Sequence, residues 1–167
     1  MTQSADIGRL LNVARQMMSA AVYASLITSD ESGQPTSRAV RPFPPDEDFT
    51  RIVIATHRDT RKTLHVKRNA RAVLSYIDAP NRGYVTVIGK ALLNDRLEAR
   101  RAYWAERAEA FSAFWPGGPE SDEYLLIDVT PERIELRSYL LGVAEEPTRW
   151  TPVTLERAAT GGWQQIG

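Results

Sequence analysis

The stretch Ala55-Thr56-His57-Arg58-Asp59-Thr60-Arg61-Lys62-Thr63 carries the residues best suited to chemistry. It follows an apolar run, Ile52-Val53-Ile54, that reads as a buried strand. It leads into a short helical segment, 62–68, which Asn69 can end. Thr60 stands where an N-cap belongs. Arg61 and Lys62 then fall in the first helical turn, where the helix already presents partial positive charge. Two cations beside free N–H groups make electrostatic sense when an anion binds there. Between positions 58 and 71 the bases Arg58, Arg61, Lys62, Lys67, Arg68 and Arg71 face one acid, Asp59, in a chain of formal net charge zero. On charge alone two readings stand, a phosphate pocket and a solvated basic helix face.

Other chemistries find little support. The chain has no cysteine, which excludes disulfides, thiol nucleophiles and thiolate-bound metals. Its two histidines, His57 and His65, are too few for a histidine metal cluster, and no ligand spacing joins them to carboxylates. No Gly-x-Gly-x-x-Gly follows a strand and no Walker phosphate loop is present. No Gly-x-Ser-x-Gly elbow marks a serine hydrolase. No pair of carboxylates is singled out for glycoside chemistry.

The elements that must hold the basic stretch follow from periodicity. Ile7, Leu10, Leu11, Ala14, Met17 and Met18 recur at helical spacing, with Ser4 or Asp6 as candidate cap. Segment 21–28 reads as a strand, 29–33 as a turn, and 36–41 as the returning strand of a hairpin that Pro42, Pro44 and Pro45 end. Further strands are expected at 51–55, 72–77 and 84–93. Gly89, inside the last of these, marks a bulge or a close backbone approach. Asn94 or Asp95 can cap a helix running toward Ala110, and 111–123 reads as a loop around Trp115-Pro116-Gly117-Gly118-Pro119. Strands at 124–129 and 133–140 are expected on either side of a Thr130-Pro131 turn. The tail, 142–167, reads as a strand or an extended arm.

Antiparallel strands with short turns and a few flanking helices imply a β-barrel or a strongly curled sheet. At 167 residues, with no repeat or linker, one domain spanning 1–167 is expected, its core at about 10–138. No apolar run reaches the ~18 residues of a membrane span and no secretory leader is visible, so a cytoplasmic protein is expected. The balanced charge argues against nucleic-acid binding. Closing the sheet, or pairing it with a second subunit, removes its exposed edges.

The order of features resembles a known family. Ser37-Arg38-Ala39-Val40 on one strand comes first, then Ala55-Thr56 and Thr60-Arg61-Lys62, then Tyr84-Val85-Thr86-Val87-Ile88-Gly89-Lys90 with Ala91. Over roughly 10–138 this is similar to the FMN-binding split-barrel family typified by pyridoxamine 5'-phosphate oxidase. The Trp115-to-Pro119 loop followed by acids resembles its bacterial general-stress-protein branch. The resemblance implies a mainly β, antiparallel, Greek-key split barrel with flanking helices, binding FMN.

The same resemblance implies roles. Residues at the Arg61 and Lys62 positions hold the FMN phosphate, with Arg38 close by. Guanidinium and ammonium groups make strong charge-assisted hydrogen bonds to such oxygens, and Thr56 and Thr60 add hydroxyls. Ala39, Val40 and Arg41 on one strand, and Ala55 and Thr56 on another, present backbone groups to the ring and chain of the flavin. Tyr84 lies near the ring, or else is an ordinary cross-strand aromatic. Family members are homodimers with flavin at the interface, where the second subunit contributes residues of the loop at Phe114-Trp115-Pro116; Trp115 flanks the ring, or else is a core or interface tryptophan. Phe43 stands where the oxidase has lysine, and the chain ends without the oxidase's basic, substrate-gripping segment, so vitamin B6 oxidase activity is not expected. The implied function is an FMN-dependent oxidoreductase or flavin reductase acting on a small redox substrate. The alternatives are a non-enzymatic flavin-binding stress or sensor module, and a split barrel that takes haem or a deazaflavin.

Overall fold

The computed structural model describes residues 2–143 and 150–166. Helix α1 (Thr2–Ala21) begins ahead of both expected caps, so Ser4 and Asp6 lie within it. Its stripe of Leu10, Leu11, Ala14, Met17 and Met18 is buried. Val22, at φ 61°, then turns the chain into β1 (Ala24–Ser29). The hairpin to β2 (Pro35–Val40) is held by Asp30 Oδ1, which accepts from the N–H groups of Ser32 at 2.9 Å and Gln34 at 3.0 Å. Next come β3 (Ile52–His57), α2 (Arg61–Arg68), β4 (Arg71–Asp78) and β5 (Gly83–Asn94). They are followed by α3 (Leu97–Ser112), β6 (Tyr124–Ser138), β7 (Val153–Arg157) and β8 (Trp163–Ile166).

The strands pair antiparallel in the order β2-β1-β4-β5-β6-β7-β8, and β3 pairs with the first half of β6. One edge of β6 therefore serves β3 over 124–129 and β7 over 133–136. Beyond β2, the Phe43 N–H donates to the Val53 carbonyl at 2.8 Å, drawing the β2 end toward β3. This is the split barrel expected from the resemblance. α1 covers β4 and β5, α2 packs on β5 and β1, and Leu26, Ile54, Leu74, Val87, Ile127 and Leu136 fill the interior.

Two local expectations change. Thr130-Pro131 is not a turn: β6 runs through it, and the register slips by one residue opposite Ile88 and Gly89. Pro131 is tolerated because it falls at this bulge and between the β3 and β7 partners of the other edge. Gly89 is the reason the strands can approach there, since a Cβ on it would lie 2.1 Å from the Thr130 carbonyl oxygen. Neither Asn94 nor Asp95 caps α3. The N-cap is Arg96 with no side-chain bond, while Asp95 pairs with Arg58 at 2.7 Å and Arg100 at 3.1 Å. Within the tail, 153–157 and 163–166 form a hairpin whose Arg157 guanidinium lies 4.2 Å from the Trp163 ring centroid. Positions 144–149 and 167 of that tail lie outside the described residues.

Candidate functional site

The basic stretch folds as its chemistry requires. Thr60 is the N-cap of α2, accepting from the Thr63 N–H, while Thr63 Oγ1 accepts from the Thr60 N–H at 3.1 Å. This capping box leaves the N–H groups of Arg61 and Lys62 without an acceptor among the described residues. It also commits the Thr60 hydroxyl to the helix.

The bases divide into two sets. Arg58 is bound to Asp95 at 2.7 Å, Arg68 to Glu31 at 2.7 Å, and Arg71 to Glu132 at 2.8 Å. Arg61, Lys62 and the exposed Lys67 have no acidic partner among the described residues, and only Arg61 and Lys62 stand in the first turn of α2. Burial pushes the Lys62 ammonium below its ordinary pKa, and the Arg38 charge pushes it further. Arg38 is shifted the same way by burial and then by Arg61. Arg38 thus lies near enough to repel Lys62, and Arg61 near enough to repel Arg38, with no acidic partner for any of the three among the described residues. Arg38 is fixed by bonds from Nη1 to Leu26 O at 3.0 Å and Thr28 Oγ1 at 2.7 Å, and from Nη2 to Thr36 Oγ1 at 2.6 Å. The Thr28 hydroxyl in turn lies 3.0 Å from His65 Nδ1, which ties β2 and β1 to α2.

A cavity of 330 Å³ opens from this end. Its lining includes Ala39 and Val40 of β2 with Arg41 beyond it, Ala55 and Thr56 of β3, Lys62 of α2, and Trp115. Seven of the eleven residues named from the sequence thus share one cavity. Arg38 and Arg61 stand beside it through their charge on Lys62 and on each other, and Thr60 stands behind it as the cap. Tyr84 does not reach it: it lies on β5 opposite Ile77 and Arg137, on a face where Ile77 is 73% exposed. Trp115 is also a core tryptophan, 5% exposed, packed 4.8 Å from Tyr124 and 5.3 Å from Phe111 between ring centroids. Its indole N–H has no partner among the described residues.

The cavity also has residues to which the sequence assigns no role in binding. Tyr23, His57, Arg107, Ala110, Phe111 and Phe114 complete the lining. Phe111 comes from an expected loop that is the last turn of α3. Arg107 sits where α3 breaks, at φ −140° and ψ 26°, and no local sequence signal marks that break. Among the described residues no group of three His, Asp or Glu could hold a metal. The lining combines the cations Arg41, Lys62 and Arg107 with the aromatic rings of Tyr23, Phe111, Phe114 and Trp115.

A family model described as Pyridoxamine 5'-phosphate oxidase matches residues 12–138. The chain belongs to the pyridoxamine 5'-phosphate oxidase family. General stress protein 26 of Bacillus subtilis (strain 168) is 28% identical over 129 residues, covering 75% of this chain and 81% of that protein. Two solved structures share the fold of this family member. One is a Clostridium acetobutylicum protein related to general stress protein 26, with TM-score 0.72, 15% identity and coverage of 89% of this chain and 95% of that one. The other is a pyridoxamine 5'-phosphate oxidase-related, FMN-binding protein of Nostoc punctiforme PCC 73102, with TM-score 0.68, 18% identity and coverage of 98% and 96%.

Proposed function

We propose that the chain is an FMN-binding oxidoreductase that works as a homodimer. The observation that carries this reading is the convergence of Arg61, Lys62 and Arg38, unpaired by any described acid, at the open N–H groups of α2. Such an arrangement suits a phosphate dianion. Arg61, Lys62 and their N–H groups would hold the phosphate, with Thr56 as a further donor. Arg38, locked by its three acceptors, acts as a positioning charge behind Lys62. The backbone of Ala39, Val40 and Ala55 borders the ring, and Phe111 and Trp115 keep water from it. The flavin supplies electron transfer when bound, and the protein binds, orients and shields it. Ile77, Tyr139, Leu140 and Trp150 are exposed apolar residues near Tyr84's end of the sheet, and a second subunit would cover them.

A second reading is a non-enzymatic flavin-binding stress module, in keeping with the similarity to General stress protein 26. The absorption spectrum of the purified protein tests the first step. A flavin spectrum, with FMN released on denaturation, is expected; a haem spectrum would replace the reading. Reduction by NAD(P)H followed by repeated oxidation with an acceptor separates the oxidoreductase from the binding module.

A further inference from the structure

Like charges face one another between β2 and α2. Burial first, and then the Arg38 charge, lowers the Lys62 pKa; burial first, and then Arg61, lowers that of Arg38. The two elements therefore repel at this end. Among the described residues, two hydrogen-bonded or ionic side-chain contacts tie α2 to the β1–β2 hairpin. One is the Arg68–Glu31 pair, whose side chains are 50% and 75% exposed, and such pairs contribute little. The other is buried: His65 Nδ1 lies 3.0 Å from Thr28 Oγ1, at residues 7% and 2% exposed. We propose that His65 is a positioning residue of the phosphate site: with its ring proton on Nε2, its Nδ1 accepts from the Thr28 hydroxyl, and the Thr28 oxygen holds Arg38 beside Lys62.

The neighbouring hydrogen bonds fix that direction. A hydroxyl has one proton to donate and two lone pairs to accept with. Thr28 Oγ1 already accepts from Arg38 Nη1 at 2.7 Å, and Thr36 Oγ1 accepts from Arg38 Nη2 at 2.6 Å. The Thr36 proton goes to the Thr28 carbonyl at 3.3 Å. The Thr28 proton has one acceptor among the described residues, His65 Nδ1. A proton on Nδ1 would instead leave the Thr28 O–H unpaired where water does not reach, which folded proteins avoid. The imidazole is therefore the end of a chain, His65–Thr28–Arg38, that spans α2, β1 and β2. Without its acceptor the Thr28 hydroxyl turns to seek another, and the guanidinium is freer to move away from Lys62. The link to a phosphate rests on the FMN reading; the tautomer does not.

The test uses the full chain. At about pH 8, where an ordinary imidazole is neutral, long-range ¹H–¹⁵N spectra of ¹⁵N-histidine-labelled protein should show His65 with a bare Nδ1 and a protonated Nε2. The chain has two histidines, and His65→Leu assigns the signals. The apo forms of the parent and of His65→Leu, His65→Asn and Thr28→Val are then titrated with FMN and with riboflavin, which has no phosphate. His65→Leu should lower the FMN-to-riboflavin affinity ratio about three- to tenfold, the scale of one hydrogen bond. His65→Asn, which returns an acceptor near the Nδ1 position, should recover most of it. Thr28→Val/His65→Leu should lose no more than Thr28→Val alone, because His65 acts through Thr28. A merely structural histidine would weaken both flavins alike and leave the ratio unchanged. A proton on Nδ1, an unchanged ratio in His65→Leu, or a ratio that His65→Asn does not recover overturns the proposal. Arg61→Ala/Lys62→Ala separates the two readings. If it lowers the ratio and His65→Leu does not, the phosphate site stands and this inference falls. If neither changes the ratio, both fall.

Discussion

Arg107 Nη1 donates to the carbonyl of Arg41 at 2.9 Å. Its Nη2 donates to the next carbonyl, Pro42, at 2.8 Å, and the guanidinium lies 3.9 Å from the Phe43 ring centroid. One side chain from the break in α3 thus fastens the end of β2, beside the cavity. Removing it leaves two carbonyls short of a donor. Arg107→Ala should cost about 2 kcal/mol, since hydrogen bonds from a charged donor contribute ~1.5–3 kcal/mol each and this group is half-buried. Arg107→Lys should recover less than half, because an ammonium does not span two carbonyls and stack on the ring together. Denaturant unfolding of the three proteins measures both, and an Arg107→Ala protein as stable as the parent would remove this role.

The bulge in β6 gives a second prediction. Gly89→Ala places a methyl 2.1 Å from the Thr130 carbonyl oxygen, which belongs to the backbone and cannot rotate away. The strands must separate, at roughly 3 kcal/mol or more. Gly8→Ala is the control. A methyl there meets nothing within 4 Å on an exposed helical position, so stability should rise by ~0.5–1 kcal/mol. Thermal unfolding of both variants decides it, and equal shifts in the same direction would contradict the close approach.

Lys62 predicts a pH dependence of FMN binding. In the empty chain its pKa lies below the ordinary 10.5, first through burial and then through Arg38. A phosphate dianion beside it raises that pKa. Binding therefore takes up a proton when the pH lies between the two values. FMN affinity should be full below the empty-state pKa, fall as pH rises through it, and level off above the bound-state pKa. Riboflavin has the same titrating ring and no phosphate, so the ratio of the two affinities isolates the effect. A ratio constant from neutral to alkaline pH would place the phosphate elsewhere.

The exposed face near Tyr84 predicts a dimer. Ile77, Tyr139 and Trp150 are 73%, 60% and 78% exposed, and obligate interfaces commonly bury more than ~2,000 Å². Light scattering should give twice 18.7 kDa, and Ile77→Lys should shift the mass toward the monomer. A monomeric parent at micromolar concentration would contradict it.

Much of this arrangement is legible in the sequence because it is local. The N-cap Thr60, the two cations after it and the glycine in β5 each follow from short-range spacing, and all three stand where the sequence puts them. Which bases are free is not local. Arg58, Arg68 and Arg71 are paired with Asp95, Glu31 and Glu132, acids 37, 37 and 61 positions away, and only the folded chain shows that Arg61, Lys62 and Lys67 have no acidic partner among the described residues, the first two at the start of α2. Arg107 and His65 were invisible for the same reason. One sits at a helix break with no proline or glycine to announce it, and the other looks like any helix histidine until its ring is found against Thr28, 37 positions away. Pro131 read as a turn because a proline in a strand is ordinarily a breaker, and the bulge that tolerates it depends on Gly89 of the neighbouring strand.

The central claim is that Arg61 and Lys62 hold a phosphate. Its most direct test is a paired titration of FMN and riboflavin into the apo forms of the parent, Arg61→Ala/Lys62→Ala and Lys67→Ala. Each charge-assisted hydrogen bond contributes roughly 1.5–3 kcal/mol, about a ten- to hundredfold change in affinity. The double variant should therefore lose at least about a hundredfold for FMN while its riboflavin affinity stays within about twofold of the parent. Lys67→Ala, exposed near the other end of α2, should leave both unchanged. A double variant that holds FMN as tightly as the parent, or that loses FMN and riboflavin equally, would contradict the account.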